Sequence, residues 1–394
     1  MRLEDWRFTN VAPLAKLPFE PVFESTTNSV TKKTLSQLTF AGLTGSRLVF
    51  VNGHFARELS VIGALPDGVK VTNLAAALAV DSGLLEKHLG RYATTGGNAF
   101  GALNSAFFQD GAFIYVPAGQ TVAEPIQLIF ISTSPETGAT THPRNLIIAE
   151  KLSRLTVIES YVSTVDTAYF TNAVTEFLVG DDANVEHLKF QDEGQAAFHL
   201  ASLHSQLGRN SNFISHSIAL GARISRNNLR THLAGEGLEC VLNGLYLTRG
   251  EQIADHHMVV EHAQPRCASH EYFNGILDDK SKGVFHGRIL VQQAAQKTDA
   301  KQTNKNLLLS DDATADTKPQ LEIYADDVKC THGATVGRMD ETALFYLKSR
   351  GVGHVLAKQL LMYAFAADVI ETIENEAVKE VLEQMTLERF TGIS

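Results

Sequence analysis

Long apolar runs are missing from this sequence. Its most apolar stretch, residues 355–370, is interrupted by Lys358, Gln359 and Asp368, so no clean membrane span is expected. Cysteine is scarce: only Cys240, Cys267 and Cys330 occur, far apart and odd in number. Three scattered thiols make no disulfide framework and read as free cysteines in a reducing compartment. Basic residues are outnumbered, with 34 Lys and Arg against 44 Asp and Glu and a net charge of −10. No basic stripe is visible, which argues against a nucleic-acid surface. The chain begins Met-Arg-Leu-Glu-Asp-Trp, with acids where a signal peptide has its apolar run. Export is therefore not expected, and a cytoplasmic location is.

The common catalytic motifs are missing too. No Gly-x-x-x-x-Gly-Lys-Ser/Thr phosphate loop is present; Gly96-Gly-Asn-Ala-Phe-Gly101 lacks the lysine that reaches the phosphates. There is no Gly-x-Gly-x-x-Gly after a strand, no Gly-x-Ser-x-Gly elbow and no His-Glu-x-x-His zinc helix. Together these absences point away from a stand-alone enzyme and from an ATP site of the chain's own.

What is present divides into three zones over 394 residues, of which 44% are hydrophobic and 20% charged, as in a folded protein. Residues 1–99 are mixed, with a strand-like piece at 47–52 and an amphipathic helix after the N-cap Asn73. There Leu74, Leu78, Leu84, Leu85 and Leu89 recur at helical spacing, and Gly90 stops the helix. Residues 100–338 are a long succession of short strand patterns, at 113–116, 127–131, 145–148, 155–158, 175–179, 186–190, 288–291 and 320–324. Turn residues separate them, among them Pro117-Ala-Gly119, Gly180-Asp-Asp182 and Gly208-Arg-Asn210. No helical pattern intervenes, which excludes βαβ units and leaves a sandwich, barrel, propeller or solenoid. Small residues at Asn184, Asn212, Cys240 and Ala268 fall at a constant interval, as if each coil of a solenoid took that many residues. In such strands Asn, His, Arg and Gln are expected to alternate outward while apolar side chains turn in. Residues 339–394 change to helical period: Asp340 caps 341–350, Gly351 stops it, and helices at 354–373 and 375–385 follow. The second is apolar on nearly every side and needs covering, by a small helical core or by another protein.

The densest local chemistry is Tyr324-Ala-Asp-Asp-Val-Lys-Cys330-Thr-His332-Gly. On a strand, Cys330 and His332 share a face, with Cα atoms roughly 6.5–7 Å apart, close enough to ligate one metal ion. Two ligands do not close a tetrahedral site, so sulfide or another chain would supply the rest. The structural alternative is a buried thiol beside a hydrogen-bonded histidine. His187, His199, His204, His216, His232, His256, His257, His262, His270 and His286 are dispersed; His256, His257 and His262 make the tightest group, read as structural. The acid pairs Asp181-Asp182, Asp278-Asp279, Asp311-Asp312 and Asp326-Asp327 invite a glycosidase reading, but neighbours on a strand face opposite ways, and solvated turns explain them better.

The run Pro319-Gln-Leu-Glu-Ile-Tyr-Ala-Asp-Asp-Val-Lys-Cys-Thr-His-Gly-Ala-Thr-Val-Gly337, followed by Leu344-Phe-Tyr-Leu-Lys-Ser-Arg-Gly351, resembles the C-terminal signature of the SufB/SufD family. Its Tyr-Ala-Asp-Asp-Val-Lys-Cys-x-His form is the SufD version. Upstream, Ala102-Leu-Asn-Ser-Ala-Phe-Phe-Gln-Asp-Gly-Ala-Phe-Ile-Tyr-Val-Pro-Ala-Gly119 with Glu124-Pro125 resembles the segment that opens the family's strand domain. The resemblance implies a mainly β protein, a right-handed parallel β-helix (100–338) flanked by an N-terminal mixed and helical domain (1–99) and a C-terminal helical domain (339–394). It implies a non-catalytic scaffold subunit of the SUF iron–sulfur cluster assembly complex, paired with a SufB-type subunit and docking a SufC-type ATPase on the C-terminal helices. Phe345, Tyr346, Arg350, Leu360, Leu361 and Phe365 fall on those helices. Cys330 and His332 inherit a shared metal site at the sister-subunit interface, where a transient iron–sulfur cluster is expected; flavin in the complex and a homodimer in isolation are further expectations. The competing readings are a carbohydrate-active β-helix enzyme, which the single tryptophan disfavours, and a zinc-dependent hydrolase built on the histidine group.

Overall fold

In the computed structural model, which describes residues 4–23, 30–38, 40, 42–93, 98–134 and 136–390, the strand zone winds into a parallel β-solenoid of about eight turns. Gly96 and Gly97 of the glycine-rich stretch, and the first three residues of the N-terminus, lie outside the described residues. Successive strands alternate between an eleven-stranded and a ten-stranded sheet, so each strand hydrogen-bonds to the one a full coil away. The first sheet carries Phe170–Val179, Phe198–Leu207, Ile224–Leu233, Ile253–His262, Lys282–Val291 and Thr314–Ile323 in register. The second carries Arg154–Ser163, Asn184–Asp192, Asn212–Ala219, Glu239–Thr248, Ala268–Leu277, Asp299–Leu308 and Lys329–Arg338.

The coil length is not constant. Asn184 pairs with Asn212, Asn212 with Glu239, Glu239 with Ala268, Ala268 with Asp299 and Asp299 with Lys329, at intervals of 28, 27, 29, 31 and 30 residues. Cys240 therefore does not continue the column expected for it. A coil one residue shorter puts Glu239 there and turns Cys240 to the opposite, inward face, where it is fully buried. One corner absorbs these differences. Leu152, Asp182, Asn210, Gly237, Arg266 and Lys297 all adopt φ between 50° and 70°. Each donates its backbone N–H to a carbonyl of the next coil at 2.6–3.2 Å. A left-handed residue reverses the chain sharply, which is why Asp, Asn and Gly recur there, and the inter-coil hydrogen bonds offset the strain at Leu, Arg and Lys.

The interior is narrow and filled by rings. Phe50, Phe130 and Tyr161 stack at 4.8 Å centroid spacing, the rung repeat of a sheet, and Phe177, Phe213, Phe273 and Phe285 continue the core. Phe273 fills the space above Gly244, where a Cβ would meet its ring at 2.1 Å. The interior is also polar, contrary to the expected outward alternation. His187, His199, His256 and His262 are fully buried there, with Lys189, Glu159, Glu193, Asn227, Asn304 and Asn306 among them, whereas His216, equally buried, lies on the outer face of the second sheet in the column of Leu188 and Asn243. The sheets bury polar side chains because these satisfy one another across the rod: His187 reaches Glu159 at 3.1 Å, His199 reaches Glu193 at 2.7 Å, and Lys189 reaches His199 at 2.8 Å. In turn, the outer face of the second sheet is apolar, with Ile158, Leu188, Phe190, Ile218, Leu245, Ile276 and Leu307 buried under helices.

Helix α1 (Lys32–Leu38) and the pair α2 (Leu74–Val80) and α3 (Ser82–His88) pack onto the outside of the early coils. The single helix expected after Asn73 is thus two, broken at Asp81, and Asn73 donates to Asp110 instead of capping. N-terminal strands enter the sheets: Arg47–Val51 pairs with Ile126–Ser132, and Lys70–Asn73 runs antiparallel to Ala112–Val116, closing that end. Glu176, fully buried, accepts from the backbone of Gly90, Tyr92 and Ala93 and pairs with Arg144, which pins the segment after α3 to the rod. Helix α4 (Ala99–Phe107) follows, capped by the Asn98 side chain. At the C-terminus, α5 (Glu341–Ser349), α6 (His354–Ile370) and α7 (Glu376–Phe390) appear as expected, with Asp340 Oδ1 accepting from the Thr342 and Ala343 amides.

Candidate functional site at the open end of the solenoid

Among the described residues the final coil has no successor: Lys329–Arg338 pairs only with Asp299–Leu308, and Thr314–Ile323 only with Lys282–Val291. A solenoid buries each coil's inner face against the next, so the last coil leaves its core unfinished. Tyr324 stands 62% exposed, and Ile323 and Val336 are exposed as well. An uncovered strand edge with apolar residues is a pairing surface.

Cys330 and His332 occupy this outermost strand. Cys330 pairs with Ala300 and His332 with Gln302, and both sit on the face that continues the interior column. Cys330 is half-buried against Ile289, Val291, Ala295 and Ala325, while His332 is exposed. Burial pushes the Cys330 thiol above its ordinary range, so it is a thiol, not a thiolate, until a cation or a partner's charge reaches it. A metal ion held by both groups would be bound from one side, leaving the solvent side for ligands from elsewhere. The other cysteines cannot join them: Cys240 and Cys267 are buried in the interior, and burial raises both thiols.

Two residues escaped the sequence reading. Glu271, Gln302 and His332 are register partners on three successive coils. Glu271 is buried with no ion pair among the described residues, its Oε2 accepting from Gln302 Nε2. Burial lifts its carboxyl to about 7. The signal lay in the coil interval that separates the three residues, invisible until the register is known. From the ordinary value of 4.5 up to about 7, the unfolded chain releases this proton and the folded chain keeps it. The native state therefore loses stability as pH rises through that window and no further above it. Glu271→Gln removes the loss. Denaturation at about pH 5 and about pH 8 is expected to show the variant gaining on the parent at the higher pH; an equal change in both proteins contradicts a buried neutral carboxyl.

The C-terminal helices form a second surface beside the rod. One face of α6 (Met362, Ala366, Val369 and Ile370) packs onto the second sheet, with Asn274 Nδ2 donating to the Phe365 carbonyl at 2.8 Å. Phe365 is half-buried against the same cluster, and Leu361 is half-buried as well. Leu360 faces solvent, as do Phe345 at 71% and Tyr346 at 58% exposure on α5, and the Arg350 guanidinium lies 5.2 Å from the Tyr346 ring centroid.

The other candidate sites disperse. His256 and His262 point into the rod and His257 to its outer face, so strand alternation dissolves the histidine group. All four acid pairs lie outside the strands; Asp181 and Asp279 accept backbone N–H groups of Arg209 and Gly250. No helix is long and apolar enough to cross a membrane among the described residues.

The fold and the site define a parallel β-solenoid whose uncapped end presents a thiol and an imidazole. A family model described as "SUF system FeS cluster assembly, SufBD core domain" matches residues 130–365, and one described as "SufBD protein N-terminal region" matches residues 1–128. The chain belongs to the SufBD family, whose members are iron–sulfur cluster assembly proteins. It is 34% identical to the iron–sulfur cluster assembly protein SufD of Escherichia coli, over 96% of this chain and 86% of that one. It is 33% identical to an iron–sulfur cluster assembly SufBD family protein of Synechocystis, over 97% and 85%. Identity to SufD of Bacillus subtilis is 31%, over 82% and 75%.

Proposed function

We propose that this chain is a SufD-type scaffold subunit that joins a SufB-type sister through the open end of its solenoid and a SufC-type ATPase through α5 and α6. The observation that carries this reading is the unfinished last coil, with Cys330 and His332 on its exposed side. A sister subunit would complete the core there and bring the ligands that two groups cannot supply. The nascent iron–sulfur cluster is cargo in that seam. Cys330 would bind as thiolate, releasing its proton as iron arrives, and His332 as neutral imidazole. The chain itself would do no chemistry: the motion comes from the partner's ATP hydrolysis, transmitted through the helices seated on the second sheet. Free cysteines without a disulfide fit a reducing, cytoplasmic setting. Without its sister, the same open edge would pair two copies of this chain.

The test is anaerobic purification of the tagged chain co-expressed with SufB-type and SufC-type proteins, followed by iron and acid-labile sulfide quantification. Co-elution of all three with iron and sulfide in equal amounts is expected. Recovery of the chain alone under those conditions overturns the reading.

A further inference from the structure

The outer face of the first sheet carries a cavity that cluster assembly, as proposed above, does not use. In-register stacking places Asn228, His257, His286 and Lys318 in one column and His204, Arg230, Val259, Arg288 and Gln320 in the next. These residues, with Arg226 and the N-terminal turn Glu4–Trp6, line a space of about 410 Å³, within the range of small-molecule sites.

Asp5, His257 and His286 bring ligand atoms within 4.8 Å of one another, which invites a metal ion. The surroundings argue otherwise. Arg226 Nη2 lies 2.8 Å from His257 Nδ1, and a guanidinium only donates, so Nδ1 accepts and Nε2 carries the proton. A protonated Nε2 is a donor, not a metal ligand. It points toward Asp5 Oδ1, 4.0 Å away. His286 stacks on His257 at 4.3 Å. His286 Nε2, His204 Nδ1 and Arg288 Nε are buried without hydrogen-bond partners, and Arg230 is exposed with no ion pair among the described residues.

The strand carboxylates nearby are already engaged, Asp255 by Arg226 at 2.8 Å and Glu322 by Arg288 at 2.6 Å. Among the described residues, the only carboxylates lining the cavity, Glu4 and Asp5, come from the N-terminal turn. Glu4 takes Lys318 at 2.7 Å, and Trp6 lies 3.9 Å over the Arg226 guanidinium. They stand where an anionic ligand's oxygens would. From Arg230 to Lys318 the donors span three rungs, roughly 14 Å, more than a single phosphate bridges.

We propose that this cavity binds a diphosphate group, held by Arg230, Arg288, Lys318 and the His257–His286 pair, in place of the Glu4 and Asp5 carboxylates. Free pyrophosphate and the diphosphate of a nucleotide share this chemistry. The single tryptophan of the chain, Trp6, reports on the site directly. Fluorescence titration of the full chain with inorganic pyrophosphate, ADP and inorganic phosphate is expected to show saturable binding of the first two, with phosphate weaker. Tighter binding of ADP than of pyrophosphate identifies a nucleotide as the ligand; equal binding identifies the diphosphate alone. Arg230→Ala, at an exposed position that folding does not need, and Lys318→Gln should each weaken binding about tenfold. Glu4→Gln combined with Asp5→Asn should strengthen it. Absence of saturation at millimolar ligand overturns the proposal. So does binding indifferent to both Arg230→Ala and Lys318→Gln, or a site that takes zinc through His257 and His286 but no diphosphate.

Discussion

Cys330→Ser or His332→Ala is expected to cut the iron and sulfide recovered with the assembled complex about tenfold or more, while subunit co-elution stays unchanged. The magnitude follows from ligand arithmetic. Altering residues that merely orient metal ligands costs about 10–100-fold in affinity, and removing a ligand itself costs at least as much. The chain folds normally in both variants because neither side chain supports the rod: His332 is exposed, and Cys330 is half-buried at the last coil. Substitutions at such positions change stability by about 0.5 kcal/mol or less. The thiol also needs a cation to ionise, since burial raises its pKa. Serine keeps the shape and lacks the thiolate, so the loss separates ligation from packing. Undiminished iron and sulfide in both variants would remove these residues from the site and leave the fold and the family untouched.

Phe345→Ala together with Tyr346→Ala is expected to weaken binding of the partner ATPase by about 100-fold or more. Exposed aromatic residues that become buried in an interface each contribute about 2 kcal/mol or more, and 1.4 kcal/mol is tenfold. The two side chains are adjacent, so their effects will not add fully. Arg350→Ala removes the guanidinium beside the Tyr346 ring and should produce a smaller loss in the same direction. Val80→Ala serves as the control, being an 81% exposed apolar residue on α2 rather than on the C-terminal helices. Binding measured on the full chain decides the matter. Equal affinity in the double variant and the control would place the ATPase elsewhere.

Local chemistry made much of this protein legible in the linear chain. Turn residues marked coil corners, the change of period at Asp340 marked the last helices, and Cys330 and His332 announced a shared face by their spacing. Coil length was harder to read. A difference of one residue between Asn212 and Glu239 turned Cys240 inward and broke the apparent repeat. Most of the histidines do face outward as expected, but His187, His199, His256 and His262 turn inward, because strand alternation alone gives no sign of which polar groups find partners across a narrow rod. His187 and His199 are buried because Glu159 faces the one from the preceding coil and Glu193 the other from a corner, placements that the sequence does not identify.

The amino-acid sequence by itself determined the kind of fold and the shared strand face of Cys330 and His332, since period, turn chemistry and side-chain alternation are properties of short segments. Only the tertiary structure decided that the last coil is left open, that Glu271 and Gln302 stand behind His332, and that Arg230, His257, His286 and Lys318 converge on one outer cavity. Each of those facts depends on stacking register, a sum of coil lengths that no local segment encodes.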